Sequence, residues 1–224
     1  MNKNIFVACD VSTQKEILTL LELIHKDISG IKIGLQYITQ RSPEEIRALS
    51  KFNKPIFYDG KFFDIKNTLI ESIKSLEELN ISYATVHLLN GLDSLKAANE
   101  AAQKINLNLL GVSILTSFGN EDLFNLGFKD KMEDQVKRLI KIAMTANLYG
   151  VICSPLEIKM IKKIAPKLKC FTPGIRFNDN KDDQVRIMNP NDAIKAGSDC
   201  LIIGRPITIG DPKKNIQKIL SSID

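Results

Sequence analysis

At 224 residues, with 44% hydrophobic and 25% charged residues, the chain has the composition of an ordinary globular protein and the length of one large domain or two small ones. Its net charge of +5 comes from lysines scattered along the sequence. No like-charge block or aromatic-basic interleaving marks a nucleic-acid surface, while a modest positive balance suits a small anionic ligand. No run approaches the roughly eighteen apolar residues of a membrane span, and the apolar run in MNKNIFVACD is too short for a secretory leader, so the cytoplasm is the expected compartment.

In chain order, β-rich apolar runs appear at IFVAC (5–9), GIKIG (30–34), PIFYD (55–59), YATVHL (83–88), LLGVSIL (109–115), YGVIC (149–153), KCFTP (169–173) and CLIIG (200–204). Continuous apolar runs of this length fit strands buried on both faces of a parallel sheet. Helical patterns fill the gaps. Thr13 is placed to cap a helix whose stripe is Ile17, Leu20, Leu21 and Ile24. Ser42-Pro43-Glu44-Glu45 opens a second, with proline in the first turn. Asp64 is placed to cap a third, with Ile65, Leu69, Ile73 and Leu76 facing inward. Further helices are expected over LDSLKAANEAAQKI, EDQVKRLIKIAMTAN, LEIKMIKKIA, NPNDAIKAG and PKKNIQKILSSI. Strand followed by helix, eight times, is the pattern of a single-domain (β/α)8 TIM barrel spanning 1–224. A doubly wound open sheet gives much the same string; the count and the length favour the barrel. The polar stretch RFNDNKDDQVRIMN (176–189) reads as a solvated loop or as a lid over a ligand.

Cys9, Cys153, Cys170 and Cys200 show no C-x-x-C spacing and lie in or beside apolar runs, as reduced core thiols do. With only His25 and His87 besides, no zinc site is expected.

Barrels carry function at the carboxyl ends of their strands, and the polar residues of this chain gather there. Asp10 ends the first strand and Lys32 lies inside the second. Asp59 ends the third, with Lys61 two residues on and Asp64 three further. His87 falls near the end of the fourth strand, Thr116 and Ser117 after the fifth, and Ser154 after the sixth. Pro173, Gly174 and Arg176 follow the seventh strand, and Gly204 and Arg205 the eighth. Lys32, flanked as GIKIG, either snorkels to the barrel mouth or pairs with a rim carboxylate, for which Asp10, Asp59 and Asp64 are available. His87 reads as a structural histidine at least as well as a catalytic one. TPGIR and IIGRPIT each combine a glycine, which permits close backbone approach, with an arginine whose planar fork suits phosphate. Two such elements after the last two strands point to a phosphorylated ligand.

From ACD through KIG, DGKFFDI, TVH and LTS to TPGIR and IIGRPIT, the chain resembles the orotidine 5′-monophosphate decarboxylase family nearly end to end. The D-x-K-x-x-D-I core and the TPGIR…DQ-x-RI…GRPIT tail are the most specific parts, and the tail is similar to that of bacterial members. The resemblance implies a homodimeric decarboxylase converting orotidine 5′-monophosphate to UMP and CO2, with no cofactor and no metal. It implies that Asp10 and Lys32 contact the ribose hydroxyls, that Asp59 sits against the substrate carboxylate, and that Lys61 delivers the proton replacing CO2. Asp64 and Thr68 would reach into the neighbouring subunit's site. Ser117 would bind the pyrimidine edge and Pro173 line its pocket, while Arg176, Gln184, Gly204 and Arg205 hold the phosphate. Gly60, Phe63 and Lys66 depart from the D-L-K-F-H-D-I-P-N-T form of the core, and Leu88-Leu89-Asn90-Gly91 replaces a small-Gly-Gly stretch. Two other readings stay open: a magnesium-dependent sugar-phosphate decarboxylase or aldolase-type synthase on the same scaffold, which shares the D-x-K-x-x-D element, and a phosphate or nucleotide sensor without catalysis.

Overall fold

The eight apolar runs become β1 (Ile5–Ala8), β2 (Gly30–Gly34), β3 (Ile56–Phe62), β4 (Tyr83–His87), β5 (Asn108–Val112), β6 (Gly150–Ile152), β7 (Lys169–Thr172) and β8 (Cys200–Ile203) in a computed structural model that describes residues 4–177 and 186–223. They form a closed parallel barrel in sequence order, β1 pairing with both β2 and β8. Closure settles the choice between barrel and open sheet, and the architecture is the single-domain (β/α)8 form that the eightfold repeat predicts. Gln184 lies outside the described residues, as does most of the long polar loop.

The helices follow local chemistry. Thr13 caps Gln14–Ile24 in a reciprocal box with Glu16, and Ile17, Leu20, Leu21 and Ile24 are buried against the barrel. Ser42 and Glu45 make the same box at Pro43–Arg47. The third expected start is corrected. Ile65, not Asp64, occupies the cap position of Lys66–Lys74, and the Asp64 carboxylate accepts instead from the neighbouring Ile65 N–H at 2.7 Å. Two things cause this. β3 runs on to Phe62, leaving three residues for the turn, and the Asp64 N–H is taken by the Asn90 side chain at 3.1 Å. Ile65 is correspondingly 74% exposed, while Leu69, Ile73 and Leu76 are buried as the pattern requires. The other expected helices form over Leu92–Lys104, Met132–Thr145, Ile158–Ile164, Pro190–Ala196 and Pro212–Ser222.

Alternation within the strands sorts side chains between the barrel interior and the helix layer. Phe6, Phe57 and Phe171 fill the interior, joined by Tyr83, with ring centroids 5.4–6.4 Å apart. β2 sends in Gly30, Lys32 and Gly34. The Phe6 ring lies where a Cβ on Gly30 would stand, 2.2 Å away. A Cβ on Gly34 would meet an Asp10 oxygen at 3.0 Å and the Lys32 Nζ at 3.1 Å, so the two glycines make room for the aromatic layer and for the lysine. The four cysteines are buried free thiols, and among the described residues no helix is long and apolar enough to cross a membrane and no His/Cys/Asp/Glu cluster could hold a metal ion.

Candidate active site

Above the aromatic layer a cavity of about 370 Å³ opens at the carboxyl rim. Eleven residues singled out in the sequence line it: Asp10, Lys32, Asp59, Lys61, Thr116, Ser117, Pro173, Gly174, Arg176, Gly204 and Arg205. Its apolar wall comes from Ala8, Val112, Ile114, Ile152 and Ile202. Strand ends supply most of these groups, which fixes their mutual distances through the barrel rather than through loop conformation.

At the base of the cavity acids and bases alternate. Lys32 Nζ lies 3.2 Å from Asp10 Oδ1 and 3.4 Å from Asp59 Oδ2, and Lys61 Nζ lies 2.9 Å from the same Asp59 oxygen. Lys32 therefore pairs with rim carboxylates rather than snorkelling. Burial opposes its charge, but Asp59 and then Asp10 outweigh that and hold its pKa above the usual lysine value. Burial likewise opposes ionisation of Asp59, yet Lys32, Lys61 and hydrogen bonds from Lys61 and Thr85 hold its carboxyl below the usual range. Both groups are thus charged at neutral pH. The Lys61 side chain is 33% exposed and is the cation of this chain of charges that opens toward the cavity.

The far wall is built from the β7 and β8 ends. Arg176 is 94% buried, one guanidinium nitrogen donating to the Ile175 carbonyl at 2.8 Å, and Gly174 adopts φ +77°, a conformation open to glycine. Arg186 binds the β6 side to the β5 loop: it pairs with buried Glu157 and donates to the carbonyls of Leu115, at 3.0 Å, and Thr116. Ser117 stands in that loop.

Two predicted site residues lie elsewhere. Asp64 and Thr68 are exposed and do not line this chain's cavity. Near Asp64 three large apolar side chains are exposed, Phe63 at 62%, Ile65 at 74% and Leu89 at 40%, beside the exposed polar residues Lys66 and Asn67. His87 is half-buried and structural. Its Nδ1 accepts the Leu89 N–H, its ring contacts Phe63, and burial together with Lys61 lowers its pKa, so it is neutral. Ser154 is buried, and its backbone N–H and hydroxyl are engaged by Glu157 and Leu156, so it caps a turn and does not line the cavity.

Two residues at the site are given no role in the sequence reading, Asn90 figuring there only as a departure from the family's pattern. Thr85 is fully buried; its hydroxyl donates to Asp59 and accepts from the backbone of Lys61. Asn90 joins the β3 and β4 ends through the carbonyls of Phe62 and His87, both within 2.9 Å. The available signal for Thr85 is a hydroxyl in an inward-facing position of the run YATVH, in register with the Asp59 segment.

Fold and charge arrangement together define the class: a (β/α)8-barrel protein with a charged cavity at its carboxyl rim. A family model described as "Orotidine 5′-phosphate decarboxylase / HUMPS family" matches residues 3–219. The chain is 36% identical over 221 residues to the orotidine 5′-phosphate decarboxylase of Wolbachia pipientis subsp. Culex pipiens (strain wPip), covering 98% of each chain. To that of Prochlorococcus marinus (strain MIT 9312) it is 41% identical, covering 88% of this chain and 86% of the relative. The crystal structure of orotidine 5′-phosphate decarboxylase from Lactobacillus acidophilus superposes with a TM-score of 0.87 at 30% identity and full coverage of both chains. The chain belongs to the orotidine 5′-phosphate decarboxylase / HUMPS family.

Proposed function

We propose that this chain is an orotidine 5′-monophosphate decarboxylase, producing UMP and CO2 without a metal or cofactor, in the cytoplasm. The observation that carries this reading is the sequence Asp10, Lys32, Asp59, Lys61 at the cavity floor, with an ammonium at its open end and arginines on the opposite wall. Loss of CO2 from the pyrimidine ring leaves an electron pair on carbon, and an ammonium fixed beside that carbon is worth more in the transition state than in the ground state. Lys61 then gives up its proton to the same carbon, so the ring C–H bond replaces the ring C–carboxylate bond. Asp59, held ionised by Lys32, orients the Lys61 ammonium and faces the departing carboxylate. Arg176 and Arg205, with Gly204, hold the phosphate, and Gln184 joins them. Ser117 takes the pyrimidine edge and Pro173 lines its pocket, while Asp10 and Lys32 take the ribose hydroxyls.

The reading includes a homodimer. Phe63, Ile65 and Leu89 leave apolar side chains exposed near Asp64, whose carboxylate has no cationic partner among the described residues. Pairing that face with a second copy covers the apolar patch and brings Asp64 and Thr68 toward the other chain's cavity.

The direct test is loss of orotate ultraviolet absorbance with orotidine 5′-monophosphate in excess EDTA. The native chain should turn over unimpaired and Lys61→Ala should lose at least about a thousandfold in kcat, while UMP binding to that variant largely survives. Activity that vanishes with EDTA and returns with magnesium would favour the sugar-phosphate enzymes of this scaffold, and binding without turnover would favour a sensor.

A further inference from the structure

β3 does not pass its neighbour evenly. Tyr58 pairs with Ala84 and Phe62 with Val86, so the three residues Asp59, Gly60 and Lys61 stand opposite the single residue Thr85. A bulge of this kind re-aims side chains and loosens the ladder. Lys61 also takes φ +48°, a left-handed conformation that a non-glycine residue keeps only where its surroundings hold it there. The Thr85 hydroxyl supplies both restraints. Its oxygen accepts the Lys61 N–H at 2.8 Å, and its proton goes to Asp59 Oδ1 at 3.0 Å. That leaves Asp59 Oδ2 to receive Lys32 and Lys61. One fully buried hydroxyl therefore ties the backbone under the lysine to the carboxylate that aims it. Thr85 is not among the residues lining the cavity, so its action passes through its two partners.

We propose that Thr85 is a positioning residue for the decarboxylation, setting the Lys61 ammonium at the reacting carbon by pinning both ends of the β3 bulge. This rests on the reading of Lys61 given above. Phosphate, ribose and pyrimidine contacts come from other strands, so loss of the hydroxyl should fall on the chemical step rather than on binding.

The test is steady-state kinetics on Thr85→Val, which keeps the side chain's shape and removes the hydroxyl, beside Thr85→Ser, which keeps the hydroxyl. Thr85→Ala replaces the valine variant if circular dichroism shows that variant unfolded. Thr85→Val should lose about 10- to 100-fold in kcat with KM for orotidine 5′-monophosphate within about threefold, and Thr85→Ser should recover to within about threefold of native. A kcat within about twofold of native without the hydroxyl overturns the proposal, as does an equal loss in the serine and valine variants, which would mark a packing role. Lys61→Ala assayed in the same series separates the two levels. If it stays active, the underlying reading of Lys61 fails; if it is inactive while Thr85→Val is native-like, only the role of Thr85 fails.

Discussion

Asp59 is the residue on which the site's charge balance turns. Its carboxyl ionises more readily in the folded chain than the ordinary value of about 3.9, because two ammonium groups and a hydroxyl overcome the effect of burial. The linkage sign follows. Between the unfolded and the lower folded pKa the unfolded chain binds the proton and the native chain does not, so stability contributed by ionised Asp59 is present above the ordinary aspartate range and is lost as pH falls through the native value. Urea unfolding at a series of pH values should give Asp59→Asn a shallower decline below about pH 4 than the native chain shows. Parallel declines would mean that other carboxylates carry the acid sensitivity. Lys32 has the opposite sense: its raised pKa makes its contribution complete below the ordinary lysine value and lost only as pH rises through the native one. Near neutrality neither group titrates, so the Asp59–Lys32 pair keeps its charges over the range in which the reaction is proposed to run.

At the β3 and β4 ends a turn residue holds the strand backbones in place. Asn90 accepts from the Asp64 N–H and donates to the carbonyls of Phe62 and His87, so one amide satisfies three backbone groups across two strand ends. Asn90→Ala should cost about 1–3 kcal/mol and lower Tm by roughly 2–4 °C for each of them, with hydrogen exchange faster at Phe63 and Asp64. Unchanged exchange there would sink this account. The contrast with the sequence is instructive at this scale. All eight strands and the caps at Thr13 and Ser42 are legible because apolar continuity and cap chemistry are local signals. The rim residues are legible because polar groups at strand ends are conspicuous after apolar runs. What escapes is the bulge. PIFYD looks like a strand that ends at Asp59, whereas pairing continues to Phe62 because Thr85 and Asn90, from another part of the chain, satisfy the groups the irregularity leaves over. With the strand longer, the helix cap moves from Asp64 to Ile65 and Ile65 turns outward. Such cross-strand partners are tertiary, and no window of sequence around residue 59 contains them.

On the scale of the whole molecule, the proposed homodimer makes the site's completeness a matter of assembly. If Asp64 serves the other subunit, Lys61→Ala and Asp64→Ala chains, each nearly inactive alone, should complement when unfolded together and refolded as a mixture. Random pairing places one intact site in half of the dimers, which restores about a quarter of native activity per site. No recovery, from a mixture shown by mass spectrometry to contain heterodimers, would place Asp64 outside the reaction. The aromatic layer has a consequence of a different kind. Phe6, Phe57, Tyr83 and Phe171 occupy the barrel interior below Ala8 and Ile202, and Phe6, Tyr83 and Phe171 line a separate cavity at the opposite end. The barrel is therefore a cup and not a tunnel. Arrivals and departures share one doorway at the carboxyl rim, so a product must vacate the passage before the next substrate can come in, and the two compete for that single way through.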